Sequence, residues 1–401
     1  MKIKLSKIEA RNLMLLSQGL FNTPKRKASK EDLLKAIINM GQLQIDTIHV
    51  VARSPYLVLW SRLGNYDSNW LDDLLSEGKL FEYWSHAMCF LPIEDYPLYR
   101  RLALDKKGHW GARTEKWFGE NAPTIKTVIE HITKVGETRS SDFERSDSQK
   151  SGWWNWKAEK VALEVLFDRG DLMIARREKF QRIYNLRQRI LPTWSDNTAP
   201  PYVQVQETLA IKALGALGVA TSDWLANYFY TPKRDMPKTL ARLVQKKEIF
   251  EVDIEDIGKA YIHKNNLKNI NKIVKLKPSL TTFLSPFDPL VNNRKRALSI
   301  FNFAYQIECY TPAPKRKYGY FTLPILYKGN LVGRLDPKAH RKLGVFEVKS
   351  IHLEKGIKIT SNLVTNIAKA LQNFASWHKT PTIKITKSDP KELRALLLPK
   401  N

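Results

Sequence analysis

The chain is 401 residues long and 43% apolar, and it carries 66 Lys plus Arg against 40 Asp plus Glu, a formal net charge of +26 with a pI near 9.8. That apolar content excludes a basic disordered tail, and the length accommodates roughly two to four domains. So large a cationic excess on a folded chain points to a polyanion, nucleic acid before an anionic membrane surface, with plain solubility charge as the alternative.

The two cysteines, Cys89 and Cys309, are far apart, which suits a reducing compartment and argues against a disulfide scaffold or a zinc cluster. The opening MKIKLSKIEA has no apolar core, so no secretory leader is expected. Arg53 and Arg62 interrupt the best apolar run, so no membrane span is expected either. The expected location is cytoplasmic and nucleoid-associated.

In chain order, Ser6 to Glu9 form a capping box that opens a first helix. Ser29 caps a second, which runs through DLLKAIINM and stops at Gly41. QLQID then alternates like a short strand, with Gln42, Gln44 and Asp46 on one face and Leu43 and Ile45 on the other. YLVLWSRLG reads as helix, and NWLDDLLSEG as the helix before a β-hairpin.

That helix–hairpin unit recurs. Segments 71–92, 163–186 and 240–263 align Leu71 with Leu163 and Leu240, Leu74 with Leu166 and Leu243, and Leu80 with Leu172 and Ile249. A helix leading straight into a hairpin is the third helix and wing of a winged-helix domain, a common nucleic-acid binder. Chance recurrence in an α+β protein is the alternative.

From about residue 275 the sequence turns to short runs rich in aromatic and β-branched residues, punctuated by Pro and Gly, which suits a small antiparallel sheet or barrel. Residues 311–350 hold Lys315, Arg316, Lys317, Lys328, Arg334, Lys338, Arg341, Lys342 and Lys349 against only Asp336 and Glu347. Within them DPKAHRKLG reads as a basic hairpin, or as a solvated turn.

The blocks GQLQIDTIHVVARSPYLVLWSRLGNYD, FEYWSHAMCFLPIEDYPLYR, WWNWKAEKVALEVLFDRGDL, LSPFDPLVNNRKRALSIF and YTPAPKRKYGYFTLPILYKGNLVGRLDPKAHRKLGVFEV, in that order, resemble the YcaQ/AlkZ-type crosslink-repair DNA glycosylases over about residues 5–375. The resemblance implies an α+β chain of three tandem winged-helix domains followed by a β-barrel-like domain. The boundaries expected are 1–120 for the domain carrying the Gln-Ile-Asp motif, 121–200 and 201–270 for the next two, and 271–401 for the β-rich domain with its basic hairpin. It also implies excision of alkylated purines, crosslinked ones included, from double-stranded DNA by a monomer without cofactor or metal. Gln44-Ile45-Asp46 matches the Gln-apolar-Asp motif of the YcaQ-like branch, which implies N7-alkylguanine and nitrogen-mustard crosslinks as substrates. Gln44 and Asp46 are then the catalytic pair. Asn292 and Asn293 stand where many relatives carry Trp or Asp.

The chemistry suits the pair. An N7-alkylated guanine is already cationic and leaves without protonation, so the need is for help at the sugar and with water. A carboxylate can stabilise an oxocarbenium-like sugar and take the water's proton, while a neighbouring amide holds the water in line. The competing structural reading has Asp46 cap the next helix. No catalytic lysine signature is evident, so a monofunctional enzyme is expected.

Candidate DNA contacts are Arg53, Tyr83, Trp84, His86, Lys315, Arg316, Lys317, Lys338, His340, Arg341 and Lys342. Tyr83 and Trp84 serve equally as core, His86 as a satisfied structural histidine, and Trp153, Trp154 and Trp156 as core or domain interface. A non-enzymatic winged-helix regulator explains the charge and the repeats equally well, but it gives Gln44 and Asp46 no task. A membrane-surface protein lacks a basic amphipathic helix.

Overall fold

A computed structural model describes residues 3–105, 111–143, 157–273 and 275–398. The chain is a mixed α+β protein that divides into two compact units, one formed by residues 1–67 with 207–401 and the other by 68–206. Trp153, Trp154 and Trp156 lie outside the described residues.

The local signals set the first elements. Helix Lys7–Ser17 begins at the Ser6/Glu9 capping box, and helix Lys30–Met40 at a box of Ser29 with Asp32. Each box satisfies orphan amides of its helix's first turn. Gly41 ends the second helix at φ +70°, and a Cβ there would come within 2.9 Å of the Phe229 ring, so both backbone and space require glycine.

All three repeated units form a helix followed by a hairpin. Helix Asn69–Ser76 precedes strands Leu80–Trp84 and Met88–Pro92; helix Ala158–Arg169 precedes Leu172–Glu178 and Gln181–Leu186; helix Met236–Gln245 precedes Ile249–Ile254 and Gly258–His263. The nine aligned apolar positions, from Leu71 to Ile249, are all buried. Period-3.6 spacing on the helix and a bulky residue at the start of the wing thus build each small core.

In the unit of residues 68–206, the first two hairpins share a buried charge cluster. Glu82 accepts from Arg177 Nη2 at 2.8 Å and lies 3.4 Å from Arg182. The third hairpin belongs to the other unit. There it joins a four-stranded sheet in which Ile3–Leu5 pairs in parallel with Val252–Ile254.

The carboxy-terminal sheet orders its strands Thr281–Phe283, Leu323–Tyr327, Asn330–His340, Val345–Leu353 and Thr382–Asp389. The first four are antiparallel neighbours; the last pairs in parallel after a crossover through helix Ser361–Trp377. That crossover covers a face of the sheet and leaves the first and last strands as edges. The barrel anticipated from the sequence therefore does not close among the described residues. Trp60 of helix Ser54–Leu63 packs on Phe374 at 4.4 Å and on Phe283 at 6.1 Å, and Phe346 meets Phe374 at 5.6 Å. This aromatic cluster fastens the helix after the Gln-Ile-Asp motif to the sheet that bears the basic hairpin.

Candidate active site

The strand expected over QLQID is only Leu43–Gln44. Gln42 turns inward, buried, and its Nε2 donates to the Tyr228 carbonyl at 2.6 Å; the Tyr228 hydroxyl in turn donates to the Met40 carbonyl at 2.8 Å. Gln42 therefore anchors the strand. The expected shared face of Gln42, Gln44 and Asp46 is corrected by a turn: Asp46 Oδ1 accepts the Ile48 amide at 2.8 Å, and an Asx turn of this kind ends the alternation. Gln44 and Asp46 are both half-buried. Burial pushes the Asp46 carboxyl above the usual aspartate range, and the Ile48 amide offsets only part of that. Asp46 does not cap helix Ser54–Leu63, whose N-cap position is held by Arg53.

Side chains remote in sequence pin the helix after the motif. Arg62 and Asp288 form a buried ion pair at 2.6 Å, with side chains 3% and 0% exposed. The same guanidinium donates to the Gln18 carbonyl, the Gln18 side chain and the Val58 carbonyl, each at 2.9 Å. Ser54 and Ser285 share a hydroxyl hydrogen bond at 2.7 Å. Asn293 caps helix Arg294–Phe301 through the Arg296 amide at 3.0 Å and donates to Asn227 at 2.7 Å. Asn292 accepts from Arg296 at 3.3 Å, so both asparagines have structural work.

The basic hairpin docks on the loop after Asp46. Ala339 N donates to the Val50 carbonyl at 3.3 Å, and the Arg341 guanidinium donates to the Val51 carbonyl. DPKAH belongs to strand Asn330–His340, so the turn proper is Arg341 to Gly344. His340 Nε2 pairs across the hairpin with Glu347 at 2.8 Å. Lys338 and Lys342 are exposed, as is Leu343 at the turn. Burial first, then the charges of Arg341 and Arg53, hold the His49 pKa down, which places these three cationic side chains around the loop.

The other candidates separate. Arg316 donates to the Thr311 carbonyl at 2.8 Å and lies over the Tyr320 ring at 4.9 Å, while Lys315 and Lys317 are exposed. Arg334 leaves the basic surface altogether: it is buried, pairs with Glu354 at 2.6 Å and lies 4.1 Å from the Tyr318 ring centroid. Tyr83, Trp84 and His86 belong to the other compact unit. Tyr83 is buried against Phe167 and Tyr99, with its hydroxyl on the Asp168 carbonyl, so the expectation that it stacks on a nucleotide is corrected to a core role. Trp84 and His86 are half-buried near the hairpin turn, with His86 Nδ1 3.9 Å from the Cys89 thiol.

Sequence reasoning missed Arg62–Asp288, the Asx turn and Tyr310. The first pair is separated by 226 positions and carries no local signal; Tyr310 sits in a Pro-rich stretch read only for its charge. Among the described residues, no group of three or more His, Cys, Asp or Glu could hold a metal ion, and no helix is long and apolar enough to cross a membrane.

Comparison with known proteins gives two results. The fold is similar to that of Streptomyces sahachiroi DNA glycosylase AlkZ, with a TM-score of 0.63 over 96% of this chain and 100% of that one, at 15% identity. A family model described as DNA glycosylase AlkZ-like matches residues 37–377, which span the Gln-Ile-Asp motif, Arg62, Asp288 and the basic hairpin. The chain belongs to the AlkZ-like DNA glycosylase family.

Proposed function

We propose that this protein is a monofunctional glycosylase acting on duplex DNA. It hydrolyses the N-glycosidic bond of alkylated purines, N7-alkylguanine and nitrogen-mustard-type interstrand crosslinks among them. The observation that carries this reading is Asp46: a half-buried carboxylate, oriented by the Ile48 amide, in a loop ringed by His49, Arg53 and Arg341.

The electrons of the breaking bond to C1′ neutralise the cationic base, which departs without a general acid. Positive charge then grows on the sugar. A carboxylate in a partly desolvated site interacts with that charge more strongly than one in water, because the local dielectric is low. Its raised pKa also makes it a better acceptor for the proton of the attacking water. Gln44, two residues upstream, supplies the amide that orients the water. The three helix–hairpin units serve as tandem winged helices, and Lys338 and Lys342 present charge to the phosphates around the lesion.

The test is incubation with a duplex carrying a single N7-methylguanine. Free N7-methylguanine and an alkali-labile abasic site should appear together, with no borohydride-trapped covalent complex. Intact substrate overturns the proposal, and a trapped complex overturns its monofunctional form.

A further inference from the structure

Residues 308–319 form an exposed loop whose neck is closed by one carboxylate. Glu308 accepts from the amides of Lys317 at 3.0 Å, Tyr318 at 2.8 Å and Gly319 at 3.0 Å. Burial acts to raise the Glu308 pKa, but the three amides outweigh it and the carboxyl sits below its usual value. Thr311 N donates to the Glu308 carbonyl at 2.9 Å, and Lys315 N to the Pro312 carbonyl at 2.9 Å. At the neck Gly319 has φ +142°, and a Cβ would meet the Asp336 carboxylate at 2.4 Å. The loop therefore has a fixed shape.

At its leading edge stands Tyr310, 82% exposed. Single exposed aromatics are ordinary, so exposure alone decides nothing. The neighbourhood does. Cys309, slight burial and then the Asp46 carboxylate push the Tyr310 phenol up, and Asp46 acts on the Cys309 thiol as well, after burial. The loop thus holds an aromatic ring in solvent beside the carboxylate of the Gln-Ile-Asp motif, with Lys315 and Lys317 exposed further along it.

We propose that Tyr310 contacts the alkylated base itself, its ring face against the cationic purine while Asp46 faces the sugar, and so sets the preference for charged lesions over unmodified guanine. An N7-alkylguanine spreads a positive charge over its imidazole ring. An aromatic face attracts that cation in addition to stacking on any base. Unmodified guanine gains the stacking alone, so the ring discriminates by charge. This rests on the glycosylase reading of Asp46.

The test uses duplexes with a 2′-fluoro N7-methylguanine, which resists hydrolysis, and with guanine at the same site, so that binding is read apart from turnover. Wild type should bind the lesion more tightly. Tyr310→Ala should cut that preference about tenfold while shifting affinity for the unmodified duplex about twofold or less. Tyr310→Phe and Tyr310→Trp should keep it, because the ring and not the hydroxyl acts; melting curves should be unchanged for all three. If Tyr310→Ala keeps the full preference while Asp46→Asn loses excision of N7-methylguanine, this inference falls and the glycosylase reading stands. If wild type neither prefers nor excises the lesion, both fall.

Discussion

Asp46 is a carboxylate whose surroundings resist its charge. Burial raises its pKa in the folded protein, so the fold holds the Asp46 proton more tightly than the unfolded chain does. The stabilisation present at low pH is lost as pH rises through the raised pKa, and at neutral pH the charge costs stability. Asp46→Asn keeps the oxygen that accepts the Ile48 amide and removes the charge, so it should melt at or slightly above the wild-type temperature, as checked by calorimetry at pH 7. The same shift sets the pH dependence of catalysis. Single-turnover excision should fall on the acid side with an apparent pKa above the ordinary aspartate value, because protonated Asp46 neither stabilises the sugar nor takes a proton. A flat profile through that region would speak against Asp46 as the ionising group. Gln44→Ala, which removes only the water's orienting group, should slow excision less than loss of the Asp46 charge does. The motif was legible in the sequence as residue types in a suggestive order. Its geometry was not, since alternation cannot reveal a side chain that folds back on its own backbone.

At the scale of elements, helix Ser54–Leu63 and the basic hairpin hold the motif's loop from two sides. Removing Asp288 alone would leave the Arg62 guanidinium buried without its counter-charge, so Asp288→Ala should destabilise the fold by about 3–5 kcal/mol, measured by urea unfolding. The paired Arg62→Met/Asp288→Leu change should cost less, since it leaves no lone charge. The hairpin's residues divide by task. Lys338→Ala with Lys342→Ala should lower excision from duplex DNA more than from a single strand and leave the melting temperature unchanged, because both side chains are exposed. Arg341→Ala should impair both substrates alike, since that guanidinium holds the hairpin to Val51. Equal losses in all three variants would erase this division. Capping boxes, the Gly41 stop and the helix–hairpin units were readable because their signals lie within a few residues. The tie between Arg62 and Asp288 was not, because nothing in a single sequence marks two charges that meet across the fold.

For the whole molecule, the net charge of +26 fixes the expected physics of binding. If about five to eight basic residues reach phosphates, affinity for DNA should drop about 10³-fold between 50 and 200 mM salt, read by fluorescence anisotropy. An affinity indifferent to salt would remove DNA as the main partner. Composition made the polyanion visible, and the ordered blocks made the family visible. The open sheet was hidden, because the runs of β-branched residues are alike whether the last strand returns to the first or crosses over through a helix. The central claim is that the Asp46 charge performs the chemistry, and single-turnover release of N7-methylguanine by Asp46→Asn, with duplex affinity titrated in parallel, tests it most directly. Excision should slow by about 10²–10³, roughly 3–4 kcal/mol of lost transition-state stabilisation, while DNA affinity stays equal to wild type or rises slightly. Wild-type excision by Asp46→Asn would contradict it.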